Sequence, residues 1–138
     1  MLSYGKNVLL NTNPKEIRKV YLSKSKKDPE VFEYLKNNQI HYVNVDNQML
    51  NKMTKENHQG IVFERDEFQY QSLESLYNKN FVVLLDHLED PHNFGAIIRT
   101  CEAAGVDGII IPKDRSVSVT DVVIKTSVGT TENVPIIK

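Results

Sequence analysis

The sequence is poor in several residue types on which whole classes of protein depend. It contains one cysteine and no tryptophan, so a disulfide framework is excluded and the single thiol fits a reducing compartment. No apolar run reaches the roughly 20 residues of a membrane-spanning helix, and the first residues lack the pattern of a signal peptide. Neither charge sign dominates, because the net charge of the 138 residues is −1. These absences predict a soluble cytoplasmic protein that does not contact membranes and forms one domain or two small ones.

The small net charge conceals a difference between the two halves of the chain. Residues 1–66 carry eleven Lys and Arg against eight Asp and Glu, whereas residues 67–138 carry six against ten. Five basic residues of the first half lie close together in the sequence: Arg18, Lys19, Lys24, Lys26 and Lys27. Such a cluster attracts a phosphate backbone, although an ordinary solvated surface is the alternative interpretation.

The first 66 residues alternate between helical and extended patterns. Strands are predicted at 17–23, 41–45 and 60–63, and helices at 5–10, after Asp28-Pro29 and after Asp46. This alternation indicates a small α/β domain. The polar residues 67–79 predict a linker with one helical turn, which places the domain boundary there.

The second half centres on a βαβ unit. Residues 81–85 (FVVLL) suit a strand buried on both faces, and the polar loop that follows ends in a helix that Asn93 would cap. Gly105 ends this helix, and residues 108–112 form the next strand. A helix capped by Thr120 and a strand at 134–137 complete the pattern. The predicted apolar stripe of the first helix consists of Ala96, Ile97, Thr100, Cys101 and Ala104.

Several residues of this unit have alternative interpretations. The acidic loop with Asp86, Glu89, Asp90 and His92 is either a metal or acid–base site or a capping loop, and its spacing matches no specific metal site. Arg99 either binds a phosphate or a loop carboxylate or is a surface residue. Cys101 is predicted to be a buried thiol, since no histidine nearby in the sequence would activate it.

Four stretches together resemble one known family. Residues 90–100 read DPHNFGAIIRT, which is similar to the DPxNxGxIxRT motif of the SpoU (TrmH) RNA 2′-O-ribose methyltransferases. Residues 4–7 and 58–61 (HQGI) resemble the beginning and end of that family's substrate-binding domain. Residues 125–132 with Pro135 resemble its KxSxGAxExxP segment, with Thr130 where alanine is usual.

The resemblance implies a fold and an activity. The fold would be α/β, with a small domain like ribosomal protein L30e over 1–66, a linker over 67–79, and the first half of a SPOUT-type parallel-sheet domain (the α/β knot) over 80–138. The activity would be transfer of a methyl group from S-adenosylmethionine to a ribose 2′-hydroxyl of RNA, with ribosomal RNA favoured over transfer RNA. Arg99 would help to deprotonate that hydroxyl, Asn93 would order the site, and Glu132 would lie near it. The basic residues of the first domain would bind the RNA.

The sequence also departs from the family. It lacks the glycine-rich and the serine/asparagine-rich motifs of the knotted carboxyl-terminal segment, which forms the family's cofactor pocket. We therefore expect the cofactor-binding residues to be missing from a chain truncated before that segment, and the 138 residues alone to be inactive. A full-length form is expected to be a homodimer. A non-catalytic RNA-binding module or an interaction fragment is the alternative interpretation.

Overall fold

The computed structural model describes residues 1–138 as two compact units, Met1–Glu67 and Phe68–Lys138. The first unit contains a four-stranded sheet in the order β1-β4-β2-β3, in which β2 and β3 are parallel and the other pairs antiparallel. None of the helices in either unit combines the length and apolar character that crossing a bilayer requires. The elements of the first unit are β1 (Leu2–Tyr4), α1 (Lys6–Asn11), β2 (Ile17–Ser23), α2 (Pro29–Asn37), β3 (Tyr42–Val45), α3 (Asn47–Met53) and β4 (Ile61–Arg65).

The core of the first unit forms where the central strands meet the helices. Val20, Leu22 and Phe63 from β2 and β4 are fully buried, and a further cluster brings Tyr4 and Leu50 together. The predicted strands and helices are confirmed within one or two residues. Strand β1 is missed, because three residues are too few to show the alternation on which strand prediction depends.

Helix α2 begins with a charged cap. The Asp28 carboxylate accepts hydrogen bonds from the backbone N–H groups of Glu30 and Val31, and Pro29 occupies the first helical position. Lys6 lies 2.9 Å from the same carboxylate. Its hydrogen bond holds the pKa of Asp28 below the ordinary value of 3.8.

This cap predicts how acid affects the first unit. Because the pKa of Asp28 is lowered in the folded state, its contribution to stability is present above pH 3.8 and is lost as the pH falls through the lowered value. Asp28→Asn keeps a capping oxygen but removes the charge, so its melting temperature should fall less steeply with acid than that of the wild type. Glu33→Gln, at an exposed position of the same helix, is the control. Thermal melts across the acid range test this, and identical slopes for Asp28→Asn and the wild type would contradict it.

The second unit contains a three-stranded parallel sheet in the order β5-β6-β7. The helices α4 and α5 contact each other, and α4 connects β5 to β6 in the predicted βαβ arrangement. The parallel sheet confirms the α/β fold class. The elements are β5 (Val82–Leu84), α4 (Pro91–Ala103), β6 (Gly108–Ile110), α5 (Asp121–Thr126) and β7 (Ile136–Ile137).

Two predictions for the second unit are wrong. Strand β5 is not buried on both faces: Val82 is 37% and Leu84 68% exposed, because β5 lies at the edge of the sheet and pairs only with β6. The predicted stripe of α4 is also displaced. The buried residues of α4 are Phe94, Gly95, Ile98 and Cys101, whereas Ala96, Thr100 and Ala104 are exposed.

The segment predicted as a linker folds onto the second unit. From Phe68 onward it belongs to that unit, and the backbone N–H of Gln71 donates to the Ile136 carbonyl at 2.8 Å. The predicted helical turn is present at Leu73–Leu76, and its Leu76 side chain is buried. Leu76 covers β6 so closely that a Cβ built on Gly108 would lie 2.4 Å from it. Composition alone does not reveal this packing, because nothing distinguishes Leu76 from the other apolar residues scattered through residues 67–79, such as Leu73 and Tyr77.

Candidate functional site

Both ends of α4 are fixed by local interactions. The Asp90 carboxylate accepts a hydrogen bond from the Asn93 backbone N–H at 2.7 Å, so Asp90 and not Asn93 is the capping residue. Pro91 sits at the first helical position, where its missing N–H costs nothing. At the other end, Gly105 has φ of 74° and the Val106 N–H bonds to the Cys101 carbonyl, as expected of a left-handed cap. Burial of Phe94 and Ile98 then determines which face of α4 is exposed.

The exposed face of α4 carries two shallow depressions. One, of about 390 Å3, is lined by Leu88, Asn93, Ala96, Ile97, Thr100 and Cys101. The other, of about 530 Å3, is lined by Ala96, Arg99, Thr100, Ala103 and Thr126. The two share Ala96 and Thr100. Asn93 and Arg99 are both exposed, but they lie on opposite sides of this shared ridge, as six residues of separation on a helix require.

Arg99 makes no hydrogen bond or ion pair within the chain. It is an exposed guanidinium beside small side chains, among them Ala96 and Ala103. None of the loop carboxylates binds it, so that interpretation of Arg99 is excluded. An unpaired guanidinium offers five N–H donors in a planar array that suits a phosphate or another oxygen anion.

Helix α4 and helix α5 approach each other closely beside Arg99. A Cβ built on Gly95 would lie 2.6 Å from the Thr126 Cβ and 3.0 Å from the Ser127 nitrogen. The His92 Nδ1 and the Thr126 hydroxyl lie 3.3 Å apart. Partial burial on α5 lowers the pKa of Lys125. Glu132 is half-buried in the turn Thr130–Glu132, which also contacts α4. The two segments that resemble SpoU family motifs, residues 90–100 and 125–132, are therefore adjacent in space.

Asp86, Asp90 and Cys101 of the second unit have structural roles. No group of three or more His, Cys, Asp or Glu side chains could hold a metal ion anywhere in residues 1–138. Asp90 caps α4, and Asp86 pairs with the neighbouring His87, so the capping interpretation of the acidic loop fits the geometry. Cys101 is buried, and burial raises the pKa of its thiol, which disfavours the reactive thiolate.

The basic residues of the first unit differ in how they are held. Arg18 binds the Asp66 carboxylate with two nitrogens, and Lys24 lies 3.4 Å from Asp46. The ammonium of Lys19 lies over the Tyr21 ring, 5.1 Å from its centre. Lys24, Lys26 and Lys27 share the loop between β2 and α2, which we call the basic loop (residues 24–27).

A polar pocket that the sequence did not predict lies beside the basic loop. This turn pocket, of about 430 Å3, lies between the basic loop, α3 and residues 56–60, and its polar side chains include Ser25, Lys26, Asn47, Asn51, Asn57 and Gln59. Its floor includes His58 and Gly60. The HQGI motif was the available signal, but nothing in the sequence places α3 against that turn.

Each of the two units matches the sequence profile of a known protein family. The profile described as "RNA 2′-O ribose methyltransferase substrate binding" matches residues 5–71, and the profile of the SpoU rRNA methylase family matches residues 80–138. Between them the two profiles cover nearly the whole chain. A protein of Bacillus subtilis described as a TrmH-family tRNA/rRNA methyltransferase is 35% identical over 144 aligned residues, covering 96% of this chain and 58% of the relative.

Another relative and two solved structures agree. A TrmH-family tRNA/rRNA methyltransferase of Staphylococcus aureus is 36% identical over 132 residues, covering 88% of this chain and 53% of the relative. The AdoMet-bound rRNA methyltransferase of Sinorhizobium meliloti has a TM-score of 0.73 at 23% identity, covering 99% and 52% of the two chains. AviRb of Streptomyces viridochromogenes, a SpoU methyltransferase in complex with AdoMet, has a TM-score of 0.77 at 20% sequence identity. The match covers 99% of this chain and 53% of AviRb.

The matches cover nearly all of this chain but only part of each related protein. The chain spans about half the length of the curated relatives and solved structures it matches, while nearly all of its own residues are aligned to them. The structures are less than 25% identical and so show the fold, whereas the two sequence profiles and the curated relatives show the family. The chain belongs to the SpoU (TrmH) methyltransferase family.

Proposed function

We propose that this chain supplies the RNA-binding domain and the catalytic arginine of an S-adenosylmethionine-dependent RNA 2′-O-ribose methyltransferase. The observation that carries the proposal is Arg99, an exposed and unpaired guanidinium beside the close contact of α4 with α5. A group in that state is available to RNA without first breaking an internal ion pair. Asn93 and Glu132 complete the proposed site, since Asn93 lies on α4 and Glu132 belongs to the turn that contacts α4.

The chemical role of Arg99 follows from its charge. A guanidinium stays protonated in proteins, so it does not itself remove the hydroxyl proton. Its positive charge favours the ribose 2′-oxygen as that oxygen becomes negative, and preorganised stabilisation of this kind lowers a reaction barrier strongly. The same N–H donors can hold an adjacent phosphate in place. Arg99 would thereby raise the acidity of the hydroxyl and position the nucleotide.

The two depressions on α4 do not form a fitting site for the methyl donor. S-adenosylmethionine carries an α-ammonium group, a carboxylate and an adenosine, and neither depression on α4 has a carboxylate to pair with the ammonium. Both depressions are also shallow, whereas a ligand of that size normally buries most of its surface. We therefore assign no side chain to the cofactor, and we expect a polypeptide of these 138 residues alone to be inactive.

The basic loop is the proposed region of binding to the RNA backbone, and the salt dependence of the affinity tests this. Changing Lys24, Lys26 and Lys27 together to alanine should reduce the slope of log affinity against log salt by about 0.7–0.9 for each phosphate that the variant no longer neutralises. The triple change of Lys36, Lys52 and Lys55 to alanine is the matched control, because it removes the same charge from exposed positions of the same unit. Titrations of RNA at several salt concentrations give the slopes. Equal slopes for the two variants would show that the basic loop is only a solvated surface.

From the sequence we further propose that the protein methylates ribosomal RNA in preference to transfer RNA and acts in ribosomal RNA processing. We also propose that it is cytoplasmic and that the full-length form is a homodimer. The single buried cysteine fits a reducing compartment. An RNA-binding module without catalysis is the alternative, and the turn pocket and the basic loop are compatible with both functions.

A further inference from the structure

The turn pocket is built around a tight reversal of the chain at its floor. The backbone N–H of Ile61 donates to the His58 carbonyl at 3.0 Å, and the two central residues, Gln59 and Gly60, have φ of 54° and 79°. Two successive positive φ angles are the mark of a type I′ turn. Gly60 is required there, since a Cβ would strain the left-handed backbone and would lie 3.3 Å from the Ser23 Cβ.

The hydrogen bonds of His58 determine which atoms of the pocket are available. The Gly60 backbone N–H, which can only donate, lies 2.9 Å from His58 Nδ1, so Nδ1 accepts. The proton of the neutral ring is then on Nε2, which lies 2.7 Å from Asn51 Oδ1 and donates to it. The Asn51 amide is thereby oriented, and its NH2 group is left without a partner in the chain. The pocket therefore offers an oriented donor that nothing in the protein uses.

The pocket also offers an acceptor and a cation on different sides. The Glu56 carboxylate lies in the wall and can accept from an exocyclic amino group. Lys26 is half-buried, and its stem packs on the turn, since a Cβ on Gly60 would lie 3.5 Å from the Lys26 Cδ. A phosphate is attracted to Lys26 and repelled by Glu56. The two residues therefore favour one orientation of a bound nucleotide, with its phosphate towards Lys26 and away from Glu56.

We propose that the turn pocket holds the base of one unpaired RNA nucleotide, while the basic loop contacts the flanking phosphates. Each nucleobase presents donors and acceptors side by side on an edge, which matches the Asn51 amide and the Glu56 carboxylate. No Phe, Tyr or Trp lines the pocket, and His58 is its one ring, so we expect hydrogen bonds to the Asn51 amide and the Glu56 carboxylate to select the base. Proteins read RNA sequence mainly from bases that have left the helix, because the A-form major groove is too narrow for side chains.

This inference rests on the proposed RNA-binding function and makes it more specific. It predicts that the first unit recognises a bulge or loop, with the base itself and not only the bent backbone in contact. The probes are three hairpin RNAs with the same stem: fully paired, with a one-nucleotide bulge, and with an abasic bulge. Wild-type protein should bind the intact bulge about tenfold more tightly than the other two, which is the effect of one or two hydrogen bonds.

Two variants assign that preference to the pocket. The variant that carries both Asn51→Ala and Asn57→Ala should bind all three hairpins with equal affinity. The matched control carries Asn37→Ala and Asn44→Ala at exposed positions outside the pocket, and it should keep the preference for the intact bulge. Asn51→Asp keeps an acceptor for His58 Nε2 but loses the NH2 donor, so it should also lose the preference while melting like the wild type.

The outcomes separate this inference from the proposed function. A preference that persists in both pocket variants, or equal binding of the intact and abasic bulges by the wild type, would overturn the pocket assignment and leave RNA binding intact. Failure of the wild type to bind any of the three hairpins would overturn both.

Discussion

Replacing Arg99 with alanine is expected to lower methyl transfer by two or more orders of magnitude in the protein expressed from its full reading frame. The expected size follows from charge stabilisation in a reaction site, where one removed donor costs about 100- to 1000-fold in turnover. Arg99 is exposed and unpaired, so its removal leaves no buried partner. The melting temperature should therefore change little.

The lysine variant separates geometry from charge. Arg99→Lys keeps a positive charge but replaces a planar array of donors with a single ammonium, so it should recover only a small part of the activity. Arg115→Ala is the matched control, because Arg115 is another exposed arginine of the second unit. Single-turnover assays with radiolabelled methyl donor provide the rates. Full activity of Arg99→Lys combined with unfolding of Arg99→Ala would show that Arg99 is structural.

Replacing Gly95 with alanine is expected to destabilise the second unit by about 2–3 kcal/mol, the upper part of the range of about 1–3 kcal/mol that is typical of overpacking. Alanine is the better helix former by about 1 kcal/mol, so an ordinary helical position would gain stability. Here the new Cβ would lie 2.6 Å from the Thr126 Cβ and 3.0 Å from the Ser127 backbone nitrogen. Neither atom is the flexible end of a side chain, so α4 and α5 must separate.

Gly105→Ala is the matched control for this change. Nothing lies within 4 Å of a Cβ at Gly105, but its φ of 74° is unfavourable for alanine, so we expect a cost of only about 1 kcal/mol. Chemical denaturation of the two variants compares the free energies of unfolding. A Gly95→Ala protein as stable as the wild type would mean that the two helices are less closely packed than described.

Separation of α4 and α5 should also reduce activity, because Arg99 and Thr126 line the same depression. In the full-length protein, Gly95→Ala should therefore lower turnover even at temperatures where the fold persists. This links the glycine of the DPxNxGxIxRT motif to helix packing and not to a contact with substrate.

The sequence predicted the local structure of this chain better than the contacts between distant residues. Caps at Asp28 and Thr120 and the glycine end of α4 were predictable, because each depends on side chains a few residues apart. The prediction that Asn93 caps α4 is wrong, because Asp90 is the cap. Pro91 after Asp90 was the signal in the sequence, as Pro29 is after Asp28.

In the candidate site, too, local features were predictable from the sequence and contacts between distant residues were not. The motif directs attention to Arg99, but its lack of any internal partner depends on where the loop carboxylates lie. The turn pocket needs the contact of α3 with β2 and β4, which joins residues far apart in the chain. The exposure of Val82 and Leu84 is equally hidden in the sequence, because an apolar run looks the same in a central strand and in an edge strand.

Gln71, whose N–H donates to the Ile136 carbonyl, forms a parallel β-bridge with Ile137. This bridge has a consequence for the order in which the two units form during synthesis. It joins the beginning of the second unit to the partner of its central strand, so most of that unit must leave the ribosome before its sheet can close. Pairing across such a separation is slow, because the chain loses entropy before the strands pair. The first unit, complete at Glu67, can fold earlier. A nascent chain would therefore present the basic loop and the turn pocket while the segment bearing Arg99 is still unstructured.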